Sequence, residues 1–283
     1  MKNELYEESY KNPQHFSFGK NWKNFLKSLN EKRIGEAEKS LVDFLGGKEN
    51  IVGKTFVDIG CGSGLFSLAA YRLGAKKIVS VDIDDSSVAC VKYLHEKNGG
   101  PKQWGIRTGS ALDQEFMKSL GVFDIVYSWG VLHHTGKMYQ ALKNITSLVA
   151  PDGKLYTALY NDNQRFMEGT SNFWVKVKRI YNRSNWIEKK AIEAIYIAYY
   201  AVGLTVHFGN PISYIRNYSS LRGMDFMTDI KDWLGGYPYE YASSEKIISY
   251  FKKLGFKCIK MNPARSIGCN EFLFIAEEYS SEE

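Results

Sequence analysis

Apolar positions along this chain follow two rhythms that divide it into segments. Between 54 and 160, short apolar runs at 55–59, 77–81, 104–109, 123–128 and 153–160 read as buried strands. Segments of helical spacing at 64–74, 86–97, 113–119 and 137–149 separate them. Strand and helix alternating in this way predict a mainly parallel sheet covered by helices on both faces, an α/β fold. Before it, Ile34, Ala37, Leu41, Val42, Phe44 and Leu45 recur at helical spacing and stop at Gly46-Gly47. After it, 243–254 reads as a helix with a Ser243 cap, an apolar face of Ile247, Ile248, Phe251 and Leu254, and Gly255 as its stop. The stretches 256–261 and 271–277 are strand-like, and Pro151-Asp152-Gly153 signals a turn ahead of the fifth strand.

The first apolar run breaks into the densest chemistry of the chain, Asp58-Ile59-Gly60-Cys61-Gly62-Ser63-Gly64. Glycines at alternate positions let backbone approach a ligand without side-chain obstruction. Asp82 ends the second strand about twenty residues later, where α/β folds grip the hydroxyls of a ribose. The glycine spacing is not the G-x-G-x-x-G of a dinucleotide fold, which presents bare amides to a pyrophosphate. An acid ahead of the glycines instead suits a nucleoside that carries a cationic amino acid group.

Asp58 to Gly64 followed by Val81-Asp82 resembles the cofactor signature of class I S-adenosylmethionine-dependent methyltransferases. The resemblance implies a Rossmann-like, seven-stranded, mainly parallel sheet closed by an antiparallel terminal hairpin, and S-adenosyl-L-methionine as cofactor, with S-adenosyl-L-homocysteine as product. It places Asp58, Gly60, Cys61, Gly62, Gly64, Asp82, Ile83, Ser110, Ala111, Ser128 and Trp129 against the cofactor. Ser110 stands where this family frequently has Asp, and Asp113 lies too far along to replace it.

Methyl transfer to a hydroxyl gains from a general base, and neutral imidazole suits that work near pH 7. His133 and His134 follow the fourth strand, and either one is a candidate catalytic base. Tyr160, Asn161 and Asp162 leave the fifth strand toward the same edge and, with Trp233, are candidate substrate contacts. The region 161–242, rich in Tyr and Trp, is expected to be a helical insertion forming a substrate lid. Within it, 186–208 is apolar enough for a lipid-facing surface, but buried packing is the expectation, because charges mark a solvated side only at its start. The segments around Phe16–Trp22, Tyr160–Asp162, Asp232–Pro238 and Gly268–Phe272 further resemble a bacterial subgroup often labelled ubiquinone-type O-methyltransferases and often encoded near surface-polysaccharide genes.

Composition adjusts this picture only at the edges. The 283 residues exceed a minimal nucleotide-binding domain of roughly 150–200 residues, which leaves room for elaboration. The expected division is 1–45, a helical segment covering the site; 46–160, the cofactor core; 161–242, the insertion; and 243–283, the final helix and strands. A net charge of +6, dispersed among acids, makes nucleic acid an unlikely partner, and peripheral membrane contact is not favoured. Four cysteines without C-x-x-C spacing predict neither metal nor disulfide. No long uncharged apolar run or leader-like start is present, so a cytoplasmic location is expected. The expected function is methyl transfer to oxygen on a small hydroxylated metabolite or glycan precursor. A quinone precursor or aromatic lipid, tRNA modification and a non-catalytic binding module are the alternatives.

Overall fold

The computed structural model describes residues 26, 29–208, 215–216 and 226–277; most of the expected N-terminal segment, with Phe16 to Trp22, lies outside them. Its strands are β1 (Thr55–Ile59), β2 (Lys77–Asp82), β3 (Trp104–Thr108), β4 (Phe123–Trp129), β5 (Val149–Tyr160), β6 (Phe256–Asn262) and β7 (Cys269–Ala276). They form one seven-stranded sheet in the order β3-β2-β1-β4-β5-β7-β6. β1 to β5 run parallel, and β7 lies antiparallel between β5 and β6. The described helices include α1 (Glu31–Leu45), α2 (Leu65–Arg72), α3 (Asp85–Lys97), α4 (Gln114–Ser119), α5 (Met138–Thr146), α6 (Ser171–Arg183), α7 (Trp186–Phe208), α8 (Phe226–Gly235) and α9 (Ser244–Lys253).

Strand periodicity builds the layers. Successive side chains of β1 point to opposite faces: Phe56 joins Leu41, Leu68 and Val91 of α1, α2 and α3, whereas Val57 joins Ala141, Leu142 and Phe251 of α5 and α9. Short polar caps fix where helices begin. Asn30 Oδ1 accepts from Arg33 N at 3.0 Å, Asp84 Oδ1 from Ser86 N at 2.7 Å, and Asp113 Oδ1 from Phe116 N at 3.0 Å. α6 and α8 build a separate aromatic core of Trp174, Tyr181, Phe226, Ile230, Leu234 and Tyr239, against which Tyr160 and Trp233 pack.

Two expectations change. The Pro151-Asp152-Gly153 turn does not precede β5 but bulges out of it: Val149 already pairs with Phe123, Asp152 takes a φ of 61°, and pairing resumes at Lys154 with Ile125. α7 is not the buried helix its composition predicts. Ile195 and Val202 are 70% and 67% exposed, while Glu193 is 4% exposed.

Candidate functional site

β1 is flanked by both β2 and β4, and from it the chain winds outward in opposite directions. That switch point opens a crevice at the carboxyl ends of the strands. A cavity of about 640 Å³ occupies it, walled by the loops after β1 to β4, the end of β5, and α8.

The glycine turn is bent by conformations that L side chains resist, with φ of 76° at Gly60 and 53° at Gly62. A Cβ on Gly60 would meet Val131 Cγ1 at 2.3 Å, so the turn after β1 packs directly on the turn after β4. Asp82 holds the turn from outside: its Oδ2 accepts from Gly62 N and its Oδ1 from Asp84 N, both at 2.9 Å. Burial pushes its carboxyl up to about 6.

Asp58 is held by a chain of donors that crosses three strands. Trp104 Nε1 donates to Ser80 Oγ at 2.8 Å, Ser80 Oγ to Ser67 Oγ at 2.6 Å, and Ser67 Oγ to Asp58 Oδ2 at 2.7 Å. All four side chains are buried. Burial pushes the Asp58 carboxyl up to about 7, with Ser67 pulling the other way and the Asp82 charge adding to the rise. Opposite it in register, Tyr127 also lines the cavity, and its buried hydroxyl has no hydrogen-bond partner among the described residues.

These features fit an adenosyl amino acid. Two wall carboxylates retain acceptor capacity for ribose hydroxyls and an amino group. An orphaned phenol beside Asp58 offers a donor, and Ile83, Ala111 and Leu112 give an apolar slot for a base. Ser110 also lines the cavity, but its Oγ accepts from Leu112 N at 3.1 Å, while Asp113 caps α4 and is not on the wall.

The two histidines part company. Tyr160 N donates to His133 Nδ1 at 3.3 Å, so the His133 proton sits on Nε2, which is buried without a partner among the described residues. Burial pushes this imidazole well below its ordinary range and keeps it neutral. His133 packs against Tyr160 with ring centroids 4.0 Å apart and planes tilted by 45°, and does not line the cavity. His134 does line it, and its Nδ1 must donate to Pro238 O, 2.6 Å away, because a carbonyl can only accept. In the neutral ring that leaves Nε2 as the basic nitrogen.

Cys61, Ile83, Ala111, Trp129, Tyr160 and Trp233 join Asp58, Gly60, Gly62, Asp82 and Ser110 on the wall. The remaining expected site residues sit behind it for identifiable reasons. Gly64 gives room to Val91, whose Cγ2 would lie 3.0 Å from an added Cβ, and so packs α2 on α3. Ser128 Oγ donates to Ile59 O at 2.9 Å and ties β4 to β1. Asn161 donates through Nδ2 to Ser266 O at 2.8 Å and accepts from Gly268 N at 3.1 Å, holding the β6–β7 loop. Asp162 accepts from Gln164. Wall residues that sequence reasoning did not single out for the site include Tyr127, Asp84 and Thr135. Tyr127 carried no distinguishing signal, because its strand also holds Phe123, Asp124 and Trp129. Glu271 lies outside the wall but orients it, accepting from Trp129 Nε1 at 2.7 Å and Tyr156 OH at 2.8 Å.

Lys178 of α6 is fully buried beneath this wall. Its Nζ donates to Trp233 O near the end of α8 and lies 3.9 Å from the Trp233 ring centroid. Burial drives its amine well below the ordinary lysine range, partly countered by Asp232. It fixes the back face of an indole that walls the cavity.

A doubly wound sheet with a glycine turn and two carboxylates at its switch point defines a Rossmann-like nucleoside site of the methyltransferase kind. Comparison with known proteins agrees: the methyltransferase domain family matches residues 29–221, and the chain belongs to that family. The cofactor of this class is S-adenosylmethionine. A ribosomal protein L11 methyltransferase of Photobacterium profundum is 31% identical over 107 residues, 38% of this chain and 34% of that protein. One from Aliivibrio fischeri is 35% identical over 115 residues, 41% of this chain and 36% of that protein. The matched stretch thus spans little more than a third of these relatives. Among solved structures, the magnesium protoporphyrin IX methyltransferase of Synechocystis PCC 6803 with bound SAH shares the fold, with a TM-score of 0.51 at 15% identity over 88% of this chain and 89% of that one. PKMT2 of Rickettsia typhi with AdoHcy gives a TM-score of 0.55 at 13% identity over 81% of this chain and 49% of that one.

Proposed function

We propose that this methyltransferase transfers a methyl group to a hydroxyl of a small hydroxylated metabolite or glycan precursor, with His134 as general base. The resemblance to the bacterial O-methyltransferase subgroup supports the acceptor class. The observation that carries the proposal is the single cavity walled at once by Asp58, Asp82 and His134. Bound S-adenosylmethionine supplies a methyl already activated by its sulfonium. Asp82 would accept from the ribose hydroxyls, and ionised Asp58 would pair with the amino group. Tyr160, Trp233 and Tyr237 give aromatic faces for a sugar ring or a flat acceptor and exclude water from the path. His134 Nε2 takes the acceptor proton while Pro238 O holds the other nitrogen.

His134→Ala is expected to lower turnover by about 10²-fold or more with cofactor affinity unchanged. His133→Ala is expected to act mainly on stability. The measurement is methyl transfer from labelled S-adenosylmethionine into a metabolite extract, read by mass spectrometry beside calorimetric cofactor affinity. Equal turnover in wild type and His134→Ala would remove the base. The aromatic wall also favours a second reading, a quinone precursor or aromatic lipid as acceptor. A labelled lipid-phase product, with none in the aqueous pool, would select it.

A further inference from the structure

α7 is apolar on both faces: Ile192, Tyr196, Ile197 and Tyr200 pack against the aromatic core, and among them Glu193 accepts from Tyr181 OH at 2.9 Å and pairs with Lys190 at 2.7 Å. Its outer face carries Ile195 and Val202, seven residues apart and therefore on one side, with the small exposed residues Ala191, Ala194 and Ala198 among them. From Ala191 to the end of α7, Glu193 is the only charged residue. α6, joined to it through Ser184-Asn185, repeats the pattern: Phe173 and Ile180 are exposed seven residues apart, and exposed Lys176, Arg179 and Arg183 flank them. Trp186, 75% exposed, begins α7.

We propose that the outer faces of α6 and α7 form a docking surface for an anionic lipid bilayer. Leaving two large aliphatic side chains in water while a carboxylate is buried reverses the usual economy of a surface helix. A bilayer interface restores it by taking up the apolar side chains to shallow depth. Charge selects the lipid: Lys176, Arg179 and Arg183 are exposed on α6 and Lys189 is half-buried at the start of α7, whereas Lys178 is buried and Lys190 pairs with Glu193. Basic side chains beside exposed Trp, Phe and Ile are the composition of interfacial helices, and each Lys or Arg near an anionic surface strengthens the contact. A second copy of the chain fits less well. The exposed apolar positions of α7, Ala191 to Val202, extend about 18 Å at 1.5 Å per residue, and even two helices wide at about 10 Å each the face of α6 and α7 is about 360 Å², below the roughly 800 Å² per partner of a stable dimer. No described helix is long and apolar enough to cross a membrane, so the contact is peripheral. The inner face of α6 bears Trp174 and Lys178, which pack on Trp233, so the helix that would meet lipid also backs the cavity wall.

The test is co-sedimentation of the full chain with vesicles of phosphatidylcholine alone and of phosphatidylcholine with phosphatidylglycerol at three to one. Binding is expected only with the anionic vesicles, weakening as salt rises. Ile195→Glu/Val202→Glu is expected to lower partitioning at least tenfold, and Lys176→Glu/Arg179→Glu to lower it comparably. Calorimetric cofactor affinity, which reads the sheet-borne site, is expected to stay unchanged in both variants and shows that they are folded. No binding to anionic vesicles, equal binding by the Ile195/Val202 variant, or a dimer in sedimentation that this variant dissociates without any vesicle binding would each overturn the proposal.

Discussion

At the residue scale, the titration of Asp58 is the most consequential feature. Its carboxyl stands at about 7 against an ordinary 3.8, so between pH 4 and 7 the folded protein holds a proton that the unfolded chain has lost. Stability therefore falls as pH rises through that window, and Asp82, at about 6, adds to the slope up to pH 6. A cationic amino group binds the ionised carboxylate and so expels the proton. Cofactor affinity is expected to rise from pH 6 to 8, with proton release at pH 6.5 visible as a dependence of calorimetric heat on the buffer's ionisation enthalpy. Asp58→Asn should remove most of the release, leaving the smaller share of Asp82. A buffer-independent heat in wild type would mean that Asp58 is already ionised or lies away from the cofactor's amine. The sequence made Asp58 visible but not its state, which is set first by burial in the folded sheet, with Ser67 pulling the carboxyl down and the Asp82 charge pushing it up. The choice between His133 and His134 was closed to sequence for the same reason, since backbone partners at Tyr160 and Pro238 decide which ring nitrogen carries the proton.

At the scale of elements, the apolar runs of β1 to β4 and the Ser243 cap made those strands and α9 readable within a residue or two. Two features escaped because they depend on neighbours. The Pro151-Asp152-Gly153 bulge exists because Val149 already pairs with Phe123. The orientation of α7 is set by Ile192, Tyr196, Ile197 and Tyr200 packing on the aromatic core, with Glu193 held among them by Tyr181, which leaves Ile195 and Val202 outside. Glu193→Ala strips a buried phenol of its acceptor and is expected to cost about 1–3 kcal/mol in the stability of the insertion. Denaturant unfolding would register this, with cofactor affinity unchanged. A neutral result would show that α7 is held by its aromatic packing alone.

At the scale of the molecule, the order β3-β2-β1-β4-β5-β7-β6 puts the glycine turn, Asp82 and the histidine loop around one cavity, although they span 77 positions from Asp58 to His134. Strand alternation and the glycine signature were enough to anticipate that convergence, whereas the acceptor end is assembled from α8 and the end of β5, whose meeting no local pattern encodes. The central claim is that the β1–β2 end of this cavity is the cofactor site. Calorimetric titration of S-adenosylmethionine and S-adenosylhomocysteine into the purified chain, beside Asp82→Ala and Gly60→Val, tests it most directly. Saturable one-to-one binding is expected in wild type, with affinity lowered about ten- to hundredfold in Asp82→Ala, which loses the ribose acceptor and releases Gly62 N. Gly60→Val, whose side chain collides with Val131, is expected to show none. Unchanged affinity in both folded variants, or no binding by wild type, would contradict the account.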